Sequence, residues 1–414
     1  MPHRLLKFGF SDHHPEPRMF REVSQLKPEY DAVIIGGGGH GLAAAYYLGK
    51  DHGISNVAVL EQGYLGGGGT GRNTAIVRSN YLTPEGARFY QASVELFQDL
   101  SRELDYNLFY SERGHFTLAH SPASLRTQRW RAEVNQHLGI DSQVVYPDFI
   151  QSQIPQIDLT CGGHQPPIHG ALFHPPGAIA RHDAVAWAYA RGADRYGAEI
   201  HQQTAVTDIE VRDGAVIGVH TDRGYIKTRK VLSAVAGWTT HITKMVGLTT
   251  PLVIYPLQAM VTEPLKPWLN HIVVSASLHV YVSQSSRGEL VAGASLDPYE
   301  LISSRSTLDF AESMSGHLID LFPCLPQVNV LRQWAGMCDM TPDFSPIMGL
   351  TPIAGFYLDS GWGTWGFKAT PISGKTMAFT LANNRDHDLI KAFNLSRFER
   401  CELVGEKGAA SVGH

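Results

Sequence analysis

Residues 30–48, YDAVIIGGGGHGLAAAYYL, decide the fold of this chain. A short apolar run at residues 30–35 ends in glycines, and residues 42–48 are strong helix formers. The stretch therefore predicts a strand, a tight turn and a helix. A second apolar run at residues 57–60 ends in Glu61 and predicts a buried parallel strand that closes a βαβ unit.

The glycines of the turn have the spacing that a dinucleotide requires. Gly36, Gly38 and Gly41 form G-x-G-x-x-G: the first permits the tight turn, the second admits a pyrophosphate, and the third lets the helix pack on the strand. The helix N-terminus adds N–H groups and positive potential, and Glu61 would accept hydrogen bonds from ribose hydroxyls. His40 fits either a packing role or a cofactor contact. The predicted contacts here are Gly36, Gly38, Gly39, His40, Gly41, Glu61 and Gln62.

Two further glycine-rich stretches favour FAD over NAD. Residues 66–74, GGGGTGRNT, could wrap a second part of an extended cofactor through backbone N–H groups. Residues 361–368, GWGTWGFK, suggest an opposing wall around a bulky ring system. The predicted contacts from these and neighbouring stretches are Thr70, Arg72, Asn73, Thr74, Val206, Gly237, Gly363 and Gly366.

The remaining chain predicts a second domain that interrupts the first. Alternating segments at residues 278–283 and 289–293 suit an antiparallel sheet with one wet face. The fold class is therefore α/β (α+β), a Rossmann-like FAD-binding domain with an interrupting antiparallel-sheet domain. The predicted division is an N-terminal arm at 1–28, an FAD-binding domain at 29–105, 175–248 and 330–395, a substrate domain at 106–174 and 249–329, and a tail at 396–414.

Composition excludes several classes of function. A chain of 414 residues with 43% hydrophobic content can bury two joined cores, and a net charge of -5 offers no cationic field for nucleic acid. No run of apolar residues is long enough to span a membrane or to form a signal peptide, so a soluble, cytoplasmic protein is expected. The histidines show no H-E-x-x-H or paired ligand spacing, and no metal site is predicted.

Four motifs in order, GGGGHG (36–41), GGGTGRNTAIVR (67–78), SAVAGW (233–238) and SGWGTWGFK (360–368), resemble the D-amino-acid oxidase and sarcosine oxidase superfamily of FAD amine oxidoreductases. More narrowly, the chain resembles the β subunits of heterotetrameric sarcosine oxidases. The stretches that carry this likeness are residues 170–193, 279–294, 331–349 and 405–414.

The resemblance implies an assembly with two flavins. The β subunit would hold FAD, and FMN would lie at the interface with the α subunit, covalently attached to His182, with Arg181 and Arg332 as further FMN contacts. Some relatives carry Lys at the position of Arg181. Asp183 is expected to cap the helix that follows, so that His182 lies at a helix N-terminus, where the dipole favours neutral imidazole. The α subunit would also bind NAD and tetrahydrofolate, and γ and δ subunits would complete the complex.

The reaction that the resemblance implies is oxidative demethylation of sarcosine. Electrons would pass from FAD to FMN and then to O2, giving glycine, formaldehyde or 5,10-methylenetetrahydrofolate, and H2O2. Arg78 and Lys368 match superfamily positions that bind the substrate carboxylate, although an internal salt bridge for Arg78 and a solvated loop for Lys368 are also open. His279 and Tyr281 alternate on one predicted strand and would face the same pocket, unless they serve sheet packing alone.

Two alternatives remain open from the sequence. One is a single-flavin FAD-dependent oxidase or dehydrogenase for a related amino acid, such as dimethylglycine or proline, with His182 unmodified. The other is a non-catalytic flavin-binding scaffold, in which replacing Lys368 or Arg78 would not affect turnover.

Overall fold

The computed structural model describes residues 3, 6, 9–11, 19–21 and 23–406, without the side chains of residues 294 and 295. Most of the predicted N-terminal arm, and residues 407–414 of the predicted tail, lie outside the described residues. Between residues 23 and 406 the α-helices are α1 (Gly39–His52), α2 (Pro84–Glu103), α3 (Pro122–His137), α4 (Pro147–Gln153), α5 (His182–Arg195), α6 (Thr239–Met245), α7 (Leu308–Leu321) and α8 (Gly366–Asn383).

The strands of the same region form four sheets. In chain order they are β1 (Ala32–Ile35), β2 (Val57–Leu60), β3 (Ile76–Val77), β4 (Ser111–Glu112), β5 (His115–Ala119), β6 (Gln143–Val145), β7 (Gly170–His174), β8 (Ala178–Ile179), β9 (Glu199–His201), β10 (Val206–Arg212), β11 (Ala215–Thr221), β12 (Gly224–Lys227), β13 (Val231–Ser233), β14 (Val253–Pro264), β15 (Ile272–Ser275), β16 (Val280–Gln284), β17 (Glu289–Leu296), β18 (Val330–Met340), β19 (Ile347–Leu350) and β20 (Phe356–Ser360). Two small sheets contain β10-β11-β12 and β3-β8-β4.

The first large sheet is the predicted nucleotide-binding layer. Its order is β19-β20-β13-β1-β2-β9, and every pair is parallel except β19 with β20. All four residues of β1 and of β2 are buried, as a parallel strand covered on both faces requires. Helix α1 packs between α5 and α8 on this sheet. The α/β class and the βαβ unit predicted from residues 30–61 are confirmed.

The second large sheet has the order β18-β14-β17-β16-β15-β5-β7-β6 and is antiparallel except for β15 with β5. It carries its own apolar cluster, to which α7 contributes Phe310, Met314, Leu318 and Leu321. Strand β18 pairs with β14 along almost its whole length. We therefore propose to move one predicted domain boundary from residue 330 to residue 340, because β18 is part of the antiparallel sheet.

Among the described residues, no helix combines the length and apolarity that a bilayer span needs. The same residues contain no group of three or more His, Cys, Asp or Glu side chains arranged to hold a metal ion.

Thr307 offers a direct test of how α7 begins. Its side-chain oxygen accepts a hydrogen bond from the N–H of Phe310 at 3.2 Å, which satisfies one of the free donors of the first turn. We expect Thr307→Ala to lower the free energy of unfolding by about 1 kcal/mol, and Thr307→Ser, which keeps the oxygen, to restore most of it. Urea unfolding of the two variants checks this, and equal losses would show that the cap does not matter.

Candidate functional site

A cavity of about 510 Å³ lies between the two large sheets. One wall is the carboxyl edge of the parallel sheet, where Gly36 follows β1, Glu61 follows β2 and Ala234 follows β13. This edge is where open α/β sheets bind ligands. The facing wall comes from the antiparallel sheet, with Leu257 of β14 and Met337 of β18.

The glycine turn has the geometry that the spacing predicts. Gly36 has φ of +112°, and a Cβ there would lie 2.4 Å from the carbonyl oxygen of Ala234. A Cβ on Gly41 would lie 2.1 Å from the oxygen of Gly36, so this glycine allows α1 to cross β1 closely. Gly41 itself does not line the cavity, whereas Gly36, Gly38 and Gly39 do.

Glu61 braces this turn and also faces the cavity. Its carboxylate accepts hydrogen bonds from the N–H of Gly37 at 2.9 Å and from the N–H of Gly63 at 2.7 Å. Each carboxylate oxygen can accept more than one hydrogen bond, so both keep capacity for ligand hydroxyls. Gln62 lies beside it in the wall.

The second glycine-rich loop closes over the first. The hydroxyl oxygen of Thr70 accepts from the N–H of Gly39 at 2.9 Å, and the Arg72 guanidinium donates to the carbonyls of Gly67 and Gly68. Asn73 accepts from the N–H of Ala75 at 2.6 Å, which holds Ala75 at a φ of +58°. The cavity wall includes Thr70, Arg72, Asn73, Thr74, Val206, Gly363 and Gly366.

Two cations are buried at one end of the cavity. Arg78 is 6% exposed, donates to the carbonyl and side-chain oxygens of Asn80, and lies over the ring of Tyr81 at 4.6 Å. Lys368, in the first turn of α8, is 7% exposed and donates to the carbonyl of Thr364 at 3.4 Å. Burial and then the nearby Arg78 hold the pKa of Lys368 well below its usual value. An anionic ligand between the two would relieve this cost.

His115 is a cavity residue that the sequence analysis missed. It lies in β5, is 2% exposed and lines the cavity. Burial lowers its pKa well below the usual value, and Arg78 is the largest of the neighbouring charges that lower it further. The imidazole of His115 is therefore neutral near neutral pH. No motif marks this position, because only the pairing of β5 with β15 and β7 brings it to the site.

Asp339, at the end of β18, is a second cavity residue that was not predicted. It is 1% exposed, and burial raises its pKa to about 6, although the N–H of Gly361 donates to it at 2.6 Å. His40 lines the same region and is bonded to Asp359. The cavity thus contains buried groups of both signs.

The predicted pairing of His279 with Tyr281 on one strand face is wrong. His279 precedes β16 and has φ of +50°, so the alternation of side chains does not extend to it. It lines a separate cavity with Tyr255 and Asp297, whereas Tyr281 lines the 510 Å³ cavity. Tyr281 fits there because Gly293 on the neighbouring strand has no side chain: a Cβ would lie 2.0 Å from the tyrosine oxygen.

His182 lies outside the cavity, at the first residue of α5. The expected cap by Asp183 is wrong: Arg181 is the N-cap residue, and Asp183 lies within the first turn, paired with the Arg181 guanidinium at 2.8 Å. Burial lowers the pKa of His182 and so keeps the imidazole neutral. A neutral ring was expected from the helix dipole, but burial is the largest cause. Its Nδ1 is buried and has no hydrogen-bond partner among the described residues.

Three other predicted contacts also lie away from the cavity wall. Arg332 is exposed on β18. Gly237 packs against β18, where a Cβ would lie 2.8 Å from the Cβ of Met337. Arg181 is exposed and lies 5.8 Å from the ring of Phe109, which is also exposed.

Comparisons with known proteins agree with this geometry. The model of the DAO family, described as FAD dependent oxidoreductase, matches residues 31–380. The chain is 44% identical to the sarcosine oxidase subunit beta of an Arthrobacter species, over 94% of this chain and 96% of that protein. It is also 44% identical to the same subunit of Rhizobium meliloti, over 92% of this chain and 91% of that protein. Among solved structures, the L-proline dehydrogenase of P. horikoshii matches 92% of this chain and 100% of that chain, with 27% identity and a TM-score of 0.85.

Proposed function

The chain belongs to the DAO family of FAD-dependent oxidoreductases, and from this premise we propose that it is the β subunit of a heterotetrameric sarcosine oxidase. The net reaction would be oxidative demethylation of sarcosine to glycine and formaldehyde, or 5,10-methylenetetrahydrofolate, with O2 reduced to H2O2. Among the features of the site, the burial of Arg78 and Lys368 together at one end of the cavity carries most weight, because two buried cations suit an amino acid carboxylate.

The residues of the cavity fit FAD. The glycine turn at residues 36–41 presents backbone N–H groups at the start of α1, Glu61 offers acceptors for a ribose, and the second glycine loop closes beside them. A Cβ on Gly38 would make a tight contact of 3.1 Å with the Thr70 hydroxyl oxygen, so the glycine keeps this space open for a phosphate. When bound, FAD supplies the two-electron acceptor of the reaction.

The chain's own residues would bind and orient the substrate. Arg78 and Lys368 would hold the carboxylate, and this contact would favour the charged form of Lys368, whose pKa burial otherwise lowers. Tyr281 would bound the pocket on the side of the antiparallel sheet. His115, kept neutral by burial, would add no positive charge and could accept a hydrogen bond from the substrate amine. His279, in the separate cavity, is no longer proposed as a catalytic residue.

FMN is proposed at His182. The supporting observation is its buried Nδ1, which has no partner among the described residues. Burial also lowers the pKa of His182, and the neutral imidazole that this favours has a lone pair on one of its two ring nitrogens. Arg181 stays a proposed contact of the FMN phosphate, and Arg332 a proposed contact near the same interface. The rest of the site would come from the α subunit, which we propose also binds NAD and tetrahydrofolate, with γ and δ subunits completing the assembly. The cytoplasmic location expected from the sequence stays a prediction.

A single-flavin amino acid dehydrogenase is the second candidate. The structural match to L-proline dehydrogenase, with a TM-score of 0.85, favours it. The two candidates differ in substrate. In anaerobic mixing with sarcosine, proline and dimethylglycine, the co-expressed complex should lose its oxidised flavin absorbance fastest with sarcosine. Faster bleaching with proline, or none with sarcosine, would overturn the proposal.

Glu61 should contribute to FAD affinity through its charge. We expect Glu61→Gln to weaken FAD binding about tenfold, because hydrogen bonds to a charged acceptor are worth about 1.5–3 kcal/mol and the amide keeps only part of that. Titration of the FAD-free protein by flavin fluorescence measures the change. Glu85→Gln, at an exposed position in the first turn of α2, is the matched control. Equal affinity in both variants would remove Glu61 from the site.

A further inference from the structure

His40 forms hydrogen bonds that require a charged ring. Its Nδ1 lies 3.2 Å from both carboxylate oxygens of Asp359, and its Nε2 lies 2.7 Å from the carbonyl oxygen of Gly366. A carboxylate and a carbonyl can only accept, so both ring nitrogens must donate. Asp359 also accepts from Trp362 Nε1 and from the Ser373 hydroxyl, each at 2.6 Å, as suits an ionised carboxylate. The geometry thus describes an imidazolium.

The His40 ring lies between the glycine turn and the start of α8, two parts of the chain that enclose the cavity. His40 is the second residue of α1, directly after the glycine turn. Gly366 begins α8, two residues before Lys368, and Asp359 lies in β20. His40, Asp359 and Gly366 all line the cavity, and Trp362 packs edge-on against the imidazole at 4.6 Å.

We propose that His40 is a positioning residue for FAD, which as an imidazolium holds the glycine turn and the start of α8 in the arrangement that receives the cofactor. A neutral ring would point one nitrogen lone pair at an acceptor oxygen, and the two turns would separate to relieve that repulsion. Because Lys368 follows Gly366 in the same helix, the contact of His40 with Gly366 would also fix how far the Lys368 side chain reaches into the cavity. The proposal rests on FAD binding by this family and not on sarcosine as the substrate.

The surrounding charges are consistent with a retained proton. Burial by itself would lower the pKa of His40, but Asp359 of β20, the carbonyl of Gly366 and the more distant Asp339 of β18 outweigh it, and the net shift is upward. The start of a helix disfavours a cation, so the ion pair with Asp359 has to compensate for the α1 dipole as well. The contact made by the His40 imidazolium is therefore complete at low pH and is lost as pH rises through the raised pKa of His40.

The experiment measures the FAD dissociation constant of the full chain, stripped of flavin and kept with its partner subunits, between about pH 6 and about pH 9. For the wild type we expect tight FAD binding at the acid end and a step to weaker FAD binding as pH rises through the His40 pKa. His40→Gln should bind FAD at least about tenfold more weakly at the acid end and lose this step, because an amide cannot titrate in this range. Asp359→Asn should move the step to lower pH, since the neutral amide stabilises the imidazolium less.

His120→Gln is the matched control. His120 is also buried and also has both ring nitrogens bonded, to the carbonyl of Pro166 and the hydroxyl of Ser275, but it does not line the cavity. Its variant should keep the wild-type affinity and step. A step that persists unchanged in His40→Gln, or that does not move in Asp359→Asn, overturns the proposal. If His40→Gln fails to fold, the Asp359→Asn shift decides alone.

These outcomes are separate from those of the substrate test. A chain that shows the pH step but does not respond to sarcosine would contradict the proposed function and leave the role of His40 standing. A chain that is reduced by sarcosine but whose FAD affinity shows no step at any pH would support the proposed function and contradict the role of His40.

Discussion

Lys368→Met should lower kcat/KM for sarcosine about 100-fold while the variant still binds FAD. The ammonium of Lys368 is buried 3.4 Å from the Thr364 carbonyl and close enough to Arg78 for their charges to repel. A carboxylate placed between them would form charge-assisted hydrogen bonds worth about 1.5–3 kcal/mol each, and each 1.4 kcal/mol corresponds to a factor of ten. Methionine has a similar length and shape, so the loss would report the charge and not a cavity.

The measurement is stopped-flow reduction of the flavin over a range of sarcosine concentrations. Because the carboxylate contact exists before and during reaction, the apparent affinity for sarcosine should account for most of the loss. Lys375→Met provides the control, since Lys375 lies two turns further along α8 and is exposed. Kinetics of Lys368→Met equal to those of the control would exclude Lys368 from the substrate site and would favour a non-catalytic scaffold.

The parts of the fold that sequence predicted well are those with local causes. The strand at residues 32–35, the turn and α1 follow from an apolar run, a glycine with φ of +112° and a run of alanines, all within twenty residues. The helix expected after Asp183 was also found, at His182–Arg195. Such patterns need no knowledge of distant contacts.

The parts that sequence missed depend on long-range pairing. His115 reaches the cavity because β5 lies between β15 and β7 in the sheet. Its partner residues there, Ile272 in β15 and His174 in β7, are far from it in the chain. No motif marks Asp359, and only its contact with His40, 319 residues away, shows its role. His279 was misplaced because its backbone turns to φ of +50° just before β16 begins, and nothing in the alternating pattern signals that turn.

The N-cap predicted at Asp183 is wrong because the start of the helix was misplaced. An aspartate before an apolar helix is a common N-cap and would make Ala184 the first helical residue, but here the helix starts two residues earlier, at His182. Asp183 then accepts from the N–H of Ala184 at 2.8 Å and pairs with Arg181. The N-cap position passes to Arg181, which has no side-chain acceptor, and the Nδ1 of His182 is left without a hydrogen-bond partner in the part of the chain that the structure describes.

That unbonded nitrogen leads to the largest expected effect. His182→Ala should abolish the flavin that stays with the protein after acid precipitation, while FAD is still released into the supernatant. A covalent bond to a flavin methyl carbon needs a neutral imidazole with a free lone pair, and burial lowers the pKa of His182 so that this form prevails near neutral pH. Alanine has no nucleophile, so no partial retention is expected.

The sample is the complex co-expressed with its partner subunits, because the FMN would lie between subunits. In the wild type the precipitate should be yellow, and a protease digest should place the flavin on the peptide that contains His182. His137→Ala, at the exposed end of α3, should behave as the wild type. In His182→Ala, reduction of FAD by sarcosine should persist while turnover with O2 falls, because FAD would lose its electron partner. A colourless wild-type precipitate would instead favour the single-flavin dehydrogenase, and covalent flavin retained in His182→Ala would move the attachment to another residue.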